Sequence, residues 1–354
     1  MSPIGTDEFT SWAHLPWRRR LPSTLRDLYR YVRTDLLWMQ LLMENRAGVV
    51  VLQYHSVPEP DAAPFIEPGN RTDRDLFCRQ MEFIARHRRA IDIDSALRVI
   101  DGTQKAELGT VLLTFDDGYR DNHGYVAALL DSLQLPAVFY LPTGAITGGD
   151  VPWIDSLYCA FRYRTRNDLR LPDAAVHYNL DALAQCRTTY RALHAKLIAA
   201  DLQTRTSLLA YVVDALAPSA SPPRLVMTWD EVREARRRYP RICFGVHGAE
   251  HLDLTAQAVD AVAIDLDACK KDFQREIGEP PQHFAYPYNR SNPGLRRSLS
   301  ERGFRSALTS GSRILIGKWT DALDIPRLDA PSNFRLLSHW TLGAFYVRGV
   351  RVGR

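Results

Sequence analysis

Short apolar runs alternate with longer amphipathic stretches along most of the chain. Runs rich in β-branched and aromatic residues predict buried strands at 49–54, 110–115, 137–141, 241–246, 283–286 and 305–308. Apolar residues at helical spacing predict helices over 75–86, 125–133, 229–238, 257–277 and 295–302. Because strands and helices alternate, we predict an α/β fold with a parallel sheet and helical crossovers.

One segment interrupts this alternation. Residues 151–223 are rich in helix formers, with helices predicted over 181–199 and 204–217, and they end in the Pro- and Ser-rich run 218–223. We therefore predict a helical insertion or lid within a main domain that spans 48–330.

The residues before this domain, 1–47, have an amphipathic helical pattern over 22–44, with several arginines on one face and three more at 18–20. Two interpretations stay open. The helix docks on the main domain and leaves a solvated basic face, or it makes peripheral contact with an anionic membrane surface. Residues 331–354 are predicted to form a C-terminal tail.

Composition narrows the class of protein. The 354 residues are 45% hydrophobic and 24% charged, as in an ordinary globular chain, and the net charge of +4 gives no reason to expect nucleic acid. Five scattered cysteines without a C-x-x-C pair favour neither a disulfide framework nor a cysteine zinc site. No secretory signal and no run of about 18 apolar residues is present, so we expect a cytoplasmic location, with a membrane-peripheral one as the alternative.

Several apolar strands are followed directly by residues suited to chemistry: His55, Asp116 and Asp117, His247 and His251, and Tyr288. In a parallel (β/α) barrel the carboxyl ends of all strands meet on one face, so these side chains would converge. Two histidines and one carboxylate make a catalytic zinc-type set, and a second carboxylate could serve as base.

Each signal also has a plainer interpretation. The sequence Asp116-Asp117-Gly118 is typical of a turn, and an H-x-x-x-H pair such as His247 and His251 is often structural. His55 taken alone favours a structural role. Only the placement of all of them after strand ends favours a metal site.

These residues resemble the motifs of the polysaccharide deacetylase (NodB-homology) family of carbohydrate esterases. The sequence TFDDGY at 114–119 is similar to the first motif, T-F-D-D-G, and HGAEH at 247–251 is similar to the second, H-[ST]-x-x-H. The sequence FAYPY at 284–288 is similar to the third, R-x-P-Y, and 53–55 resembles the opening strand. The resemblance covers 48–330.

The resemblance implies a distorted (β/α) barrel and metal-dependent removal of an N-acetyl or related acyl group from a sugar. By it, Asp117, His247 and His251 would bind a divalent metal, with Zn²⁺ the expected ion. Asp116 would be the general base, and the backbone N–H of Tyr288 would help to hold the oxyanion. The resemblance adds these three roles to the positions already singled out.

The sequence departs from the family pattern at three places. Gly248 replaces a Ser or Thr, and Ala285 replaces the motif Arg that orients the base. Arg327 is a candidate substitute for that Arg, because an Arg can bind a carboxylate from another strand. An ordinary structural Arg is the alternative. The L-x-H motif that supplies the general acid is matched in letters by 337–339, so His339 is the candidate acid, but a packing helix there fits equally well.

Three functions remain open. The first is a deacetylase acting on an acetylated sugar or glycolipid precursor in cell-surface polysaccharide biosynthesis. The second is a metal-dependent amidase on a non-sugar small molecule, and the third is a non-catalytic carbohydrate-binding relative. Substrate contacts are expected from Tyr119, Tyr288, His55 and Arg327.

Overall fold

The computed structural model describes residues 48–149, 151–171, 177–310, 315–318 and 320–341. The predicted N-terminal helix and its membrane contact lie outside these residues, as does most of the predicted tail. Among the helices described here, none combines the length and apolar character that a membrane crossing requires.

The strands form a closed barrel. In chain order they are β1 Val49–Tyr54, β2 Arg89–Ala90, β3 Thr110–Phe115, β4 Ala137–Leu141, β5 Asp168–Arg170, β6 His177–Asn179, β7 Ile242–Val246, β8 His283–Ala285, β9 Ser306–Ser310, β10 Leu315–Ile316 and β11 Ile325–Asp329. Seven of them pair in parallel in the order β1-β11-β9-β8-β7-β4-β3, and β3 pairs again with β1 to close the ring. The predicted (β/α) barrel is confirmed.

Helices connect and surround these strands. They are α1 Arg74–His87, α2 Ile93–Asp101, α3 Ala127–Ser132, α4 Thr143–Gly148, α5 Trp153–Arg162, α6 Leu183–Ala199, α7 Leu202–Leu216, α8 Trp229–Arg238, α9 Val259–Ile277, α10 Pro293–Glu301 and α11 Phe334–Trp340. Local sequence explains several of the starts. A capping box between Thr228 and Glu231 opens α8, and the Asp73 and Asn292 side chains cap α1 and α10.

Alternate residues of each strand point to opposite sides of the barrel wall. Residues such as Leu52, Leu113 and Phe139 pack against the helices, whereas Val51 and Leu112 join an inner cluster with residues of α2. Toward the carboxyl ends of the strands the inward positions are polar, among them Gln53, Thr114 and Arg327. This pattern places the chemistry of the molecule at one mouth of the barrel.

The segment predicted as an insertion has a hydrophobic core of its own. Helices α5, α6 and α7 and the antiparallel pair β5–β6 contribute buried side chains to it, among them Leu157, Phe161, Leu193 and Leu216. Both predicted long helices are present, at 183–199 and 202–216. The β5–β6 pair was not predicted from the sequence.

Candidate active site

Asp116 follows β3 and points into the barrel mouth. Its backbone N–H donates to the Tyr54 carbonyl at 3.0 Å, which extends the β1–β3 pairing by one residue. The carboxylate is fully buried and accepts hydrogen bonds from both terminal nitrogens of Arg327, at 2.8 and 2.7 Å, and from Gln53 Nε2 at 2.9 Å. Burial opposes ionisation, but Arg327 and His247 outweigh it and hold the pKa of Asp116 below its ordinary value.

Asn289 joins the two side chains that hold the base. Arg327 Nη2 donates to Asn289 Oδ1 at 2.8 Å, and Asn289 Nδ2 donates to Gln53 Oε1 at 3.0 Å. The Asn289 carbonyl in turn accepts from Thr309 Oγ1 at 2.7 Å. Asp116 is therefore held by a closed network built from β1, β11 and the loop after β8.

Asp117 and the two histidines form a three-residue group suited to a metal. One ligand atom from each of Asp117, His247 and His251 lies within 4.8 Å of the others. Asp117 Oδ1 is 3.5 Å from His247 Nε2 and 3.1 Å from His251 Nε2, close to the roughly 3.4 Å that separates tetrahedral zinc ligands. Among the described residues this buried oxygen accepts no hydrogen bond, as expected of an oxygen reserved for a cation. The three residues fit a divalent metal.

The orientation of the two imidazoles agrees with that role. His247 Nδ1 lies 2.7 Å from the Ala285 carbonyl and must donate to it, which leaves Nε2 free as a lone-pair donor. Burial lowers the pKa of His247 to about 4, so the ring is neutral at physiological pH. His251 Nδ1 lies 3.1 Å from the Tyr288 hydroxyl, and its Nε2 also faces Asp117.

Gly248 departs from the family motif, and the structure gives the reason. Its φ of +74° is left-handed, and a Cβ at this position would lie 2.9 Å from Asp265 Oδ1. The Asp265 carboxylate accepts the backbone N–H groups of Ala249 and Glu250, each at 3.0 Å. The carboxylate of α9 thus steadies the histidine loop in place of the missing hydroxyl.

The site is unusual in its backbone conformation. Six non-glycine residues in the described ranges have positive φ, and four of them are the site residues Asp117, His251, Tyr288 and Asn289. A left-handed conformation costs a non-glycine residue roughly 1–2 kcal/mol. Such strain is concentrated where surrounding contacts fix side chains for function.

Three further predicted residues have different fates. His55 follows β1, is partly exposed in the mouth, and has Nε2 3.3 Å from Gln53 Nε2. Tyr119 is fully buried and its hydroxyl donates to Asp155 of α5 at 2.8 Å. It therefore fastens the insertion and is not available as a stacking surface for substrate. Arg327 is 3% exposed and spends its guanidinium on Asp116, so it positions the base.

His339 is not brought to the site. The segment predicted to resemble the acid motif is helix α11, and the Ser338 carbonyl accepts from Arg88 Nη2 at 2.9 Å. Arg88 directly follows α1 and directly precedes β2, which pairs with the first residues of β3. Asp116 lies six residues beyond Thr110, the first residue of β3, which is on the order of 20 Å along the strand. The His339 side chain is outside the described part of the chain, but its helix runs along the other end of the barrel.

A cavity of about 1060 Å³ opens at the barrel mouth. Its floor contains His55, Asp116, Asp117, His247 and His251. The insertion forms the opposite wall through side chains of α5, α6 and α7, which include Trp153, His194, Leu202, Arg205, Leu209 and Val213.

Comparison with known proteins agrees with this fold. The sequence model of the family named polysaccharide deacetylase matches residues 200–307. The structure of IcaB from Ammonifex degensii superposes with a TM-score of 0.54 at 16% identity, covering 84% of this chain and 98% of that one. The Streptococcus pyogenes deacetylase PplD in complex with acetate gives 0.52 at 14% identity, covering 81% and 93%. The polysaccharide deacetylase BC0361 from Bacillus cereus gives 0.52 at 13% identity, covering 83% and 69%.

At these identities the structural likeness concerns the fold alone. No curated protein sequence matches the chain. The motifs, the family match over 200–307 and the barrel agree in making the chain similar to the polysaccharide deacetylase family. The prediction that it is a hydrolase of this type is confirmed at the level of the family.

Proposed function

We propose that this chain removes an N-acetyl group from a sugar, with a divalent metal held by Asp117, His247 and His251. The observation that carries the proposal is that the adjacent carboxylates of Asp116 and Asp117 have different contacts. Asp116 is ionised and held by Arg327. Asp117, in contrast, turns toward two imidazoles an oxygen that accepts no hydrogen bond from the described part of the chain. Zn²⁺ is the ion we propose for this donor set, and cobalt, nickel or iron would also fit it.

The residues around this set have separate roles in amide hydrolysis. A bound divalent ion would supply Lewis-acid polarisation of the acyl carbonyl and would lower the pKa of water. Asp116 lies in the same cavity and is held ionised, so it is placed to accept a proton from the attacking water. The Tyr288 backbone N–H remains our candidate donor to the oxyanion.

His55 is our candidate for the proton donor to the leaving amine. Its imidazole lines the cavity beside Asp116 and Asp117, and Gln53 Nε2 lies within 3.3 Å of His55 Nε2 and 2.9 Å of Asp116 Oδ2. An imidazole that is partly exposed can exchange its proton with solvent between turnovers. Helix α11, whose Ser338 carbonyl accepts from Arg88, lies near the other end of the barrel, so we do not propose His339 for this role.

The cavity wall supports an amphipathic sugar substrate. Trp153 and Tyr288 offer aromatic faces near the metal ligands, and sugar rings stack on such faces. Farther out, Leu202, Leu209 and Val213 of α7 present apolar surface. We therefore propose a lipid-linked acetylated sugar, processed at the cytoplasmic side of the membrane during cell-surface polysaccharide or glycolipid synthesis.

Acetate release provides the test. Wild type is stripped with a chelator, reloaded with Zn²⁺, and assayed against N-acetylglucosamine oligosaccharides and against a simple acetanilide. We expect zinc-dependent release from the sugar, and a loss of about 10²- to 10⁴-fold in Asp116→Asn with zinc binding retained. Absence of zinc binding, full activity in Asp116→Asn, or hydrolysis of the anilide alone would overturn the proposal.

A further inference from the structure

Two residues of the insertion act on His251, Arg205 through the backbone of its loop and Trp153 through Tyr288. Arg205 lies on α7 and Trp153 begins α5, so each comes from a different helix of the insertion. Arg205 is only 5% exposed, and burying a guanidinium is costly unless its N–H groups find acceptors. The acceptors of these N–H groups therefore indicate why the Arg205 charge is buried.

The Arg205 guanidinium donates to two consecutive backbone carbonyls of the histidine loop. Nη1 donates to the His251 carbonyl at 2.8 Å, and Nη2 donates to the Glu250 carbonyl. His251 has a φ of +49°, a conformation that a non-glycine residue keeps only when its surroundings fix it. Two donors on one rigid fork fix both peptide groups at once.

Trp153 acts on the same ligand through Tyr288. Trp153 Nε1 donates to the Tyr288 hydroxyl at 3.0 Å, and this hydroxyl donates its own proton to the His251 carbonyl at 3.0 Å. His251 Nδ1 lies 3.1 Å from the same oxygen, which has no second proton to give. His251 Nδ1 must therefore be the donor, and Nε2 is left as a lone pair facing Asp117 Oδ1 at 3.1 Å.

The two insertion residues also contact each other. The Arg205 guanidinium carbon lies 5.8 Å from the centre of the Trp153 ring, within the range of a cation–π interaction. The insertion thus places two side chains in mutual contact, Arg205 and Trp153, on the Nδ1 side of His251. The Nε2 atom that faces Asp117 lies on the other side of the ring.

We propose that the insertion is part of the metal centre, with Arg205 and Trp153 acting as positioning residues that fix the rotamer and tautomer of His251. This inference rests on the proposed function, because it assumes that the three-residue group binds metal. Residues that contact and orient a metal-binding side chain contribute about 10- to 100-fold to metal affinity. Loss of the Arg205 fork therefore weakens metal binding without removing a ligand.

The test is Zn²⁺ affinity, measured by competition with a chromophoric chelator on the full chain. We expect Arg205→Ala to bind zinc about 10- to 100-fold more weakly than wild type. Arg205→Lys should fall between them, because an ammonium can reach one carbonyl but not both. Trp153→Phe keeps the ring and loses the N–H, so we expect a loss of several-fold.

Arg170→Ala is the matched control. Arg170 is an exposed arginine of the insertion, on β5, and its removal deletes the same charge without touching the histidine loop. Its zinc affinity should equal that of wild type. Wild-type affinity in Arg205→Ala would overturn the inference while leaving the proposed function intact, whereas a wild type that binds no zinc would overturn the proposed function itself. If Arg205→Ala does not fold, wild-type affinity in both Arg205→Lys and Trp153→Phe overturns the inference.

Discussion

The two sides of the site are held by different parts of the chain. On the base side, Asp116 takes its partners from the barrel, namely Gln53 of β1 and Arg327 of β11. On the ligand side, the His251 loop takes partners from the insertion, through Arg205 and Tyr288-bound Trp153. The base Asp116 and the histidine His251 are thus held by two structural systems. Because the two sides share no supporting residue among those named here, we expect that substitutions can alter the orientation of the base and the affinity for metal separately.

Removal of Arg327 should give the largest effect and should fall on the base side alone. Arg327→Ala leaves the buried Asp116 without its counter-charge, so we expect the free energy of unfolding to drop by about 3–5 kcal/mol. Displacement of the base should lower kcat by about 100-fold. Zinc affinity should stay within a few-fold of wild type. Urea unfolding, acetate release and zinc competition measure the three quantities.

Ala285, where the family motif has an arginine, offers a control for this prediction. Ala285 belongs to the inner cluster of the barrel, as expected for an inward position in β8. The double variant Ala285→Arg/Arg327→Ala returns the arginine to the position that the family motif gives it, and we expect it to recover part of kcat. Equal kcat in the single and double variants would contradict the view that Arg327 replaces the motif residue.

Restoring the serine of the family motif at Gly248 should destabilise the loop that carries His247 and His251. In Gly248→Ser the new Cβ meets Asp265 Oδ1 and the backbone keeps a left-handed φ, so we expect a loss of about 2–3 kcal/mol in the free energy of unfolding. Gly303→Ser is the matched control, since Gly303 has a φ of +80° and no atom of the described residues lies within 4 Å of its Cβ position. The control should lose only about 1–2 kcal/mol. Equal losses would show that the contact with Asp265 is harmless.

The junction between the insertion and the barrel should respond to pH, with the smallest effect. Burial raises the pKa of Asp155 well above its ordinary value, so the protonated form favours the folded state. This contribution is full below about pH 4 and is lost as pH rises through the folded pKa. Asp155→Asn cannot ionise, yet it can still accept from the Glu67 N–H and pair with the Tyr119 hydroxyl.

We expect the two proteins to be within about 1 kcal/mol of each other at pH 4. The variant should gain relative to wild type as pH rises, in urea unfolding measured from pH 4 to 8. A constant difference across this range would mean that Asp155 does not change its protonation state on folding.

Those parts of the site that follow apolar strands could be predicted from the sequence. Asp116, Asp117 and His247 come directly after β3 and β7, and a parallel barrel must bring such positions to one mouth. Arg327 was harder to place, because Pro326 lies within β11 and argues against a strand. The proline is tolerated there within the pairing to β9.

The supporting residues could not be predicted, for a physical reason. Gln53, Asn289, Asp265 and Arg205 act only through contacts with residues distant in sequence, and no local pattern marks them. One signal was available for Gln53. Side chains alternate in direction along a strand, so Gln53 points inward like the apolar residues Val49 and Val51 of β1. The prediction of His339 as the acid rested on an equally local signal. A three-letter match at 337–339 carries no information about which end of the barrel it reaches.

The insertion, placed between β4 and β7, has a consequence for how such a barrel can diversify. A segment that only covered a cavity could be exchanged for another and would change substrate preference alone. Here the same segment supplies Arg205 to the His251 loop and Trp153 to Tyr288. Any replacement would have to bring its own support for that loop, so under the proposed metal role of His251 we expect exchange of the insertion to alter substrate range and metal affinity together.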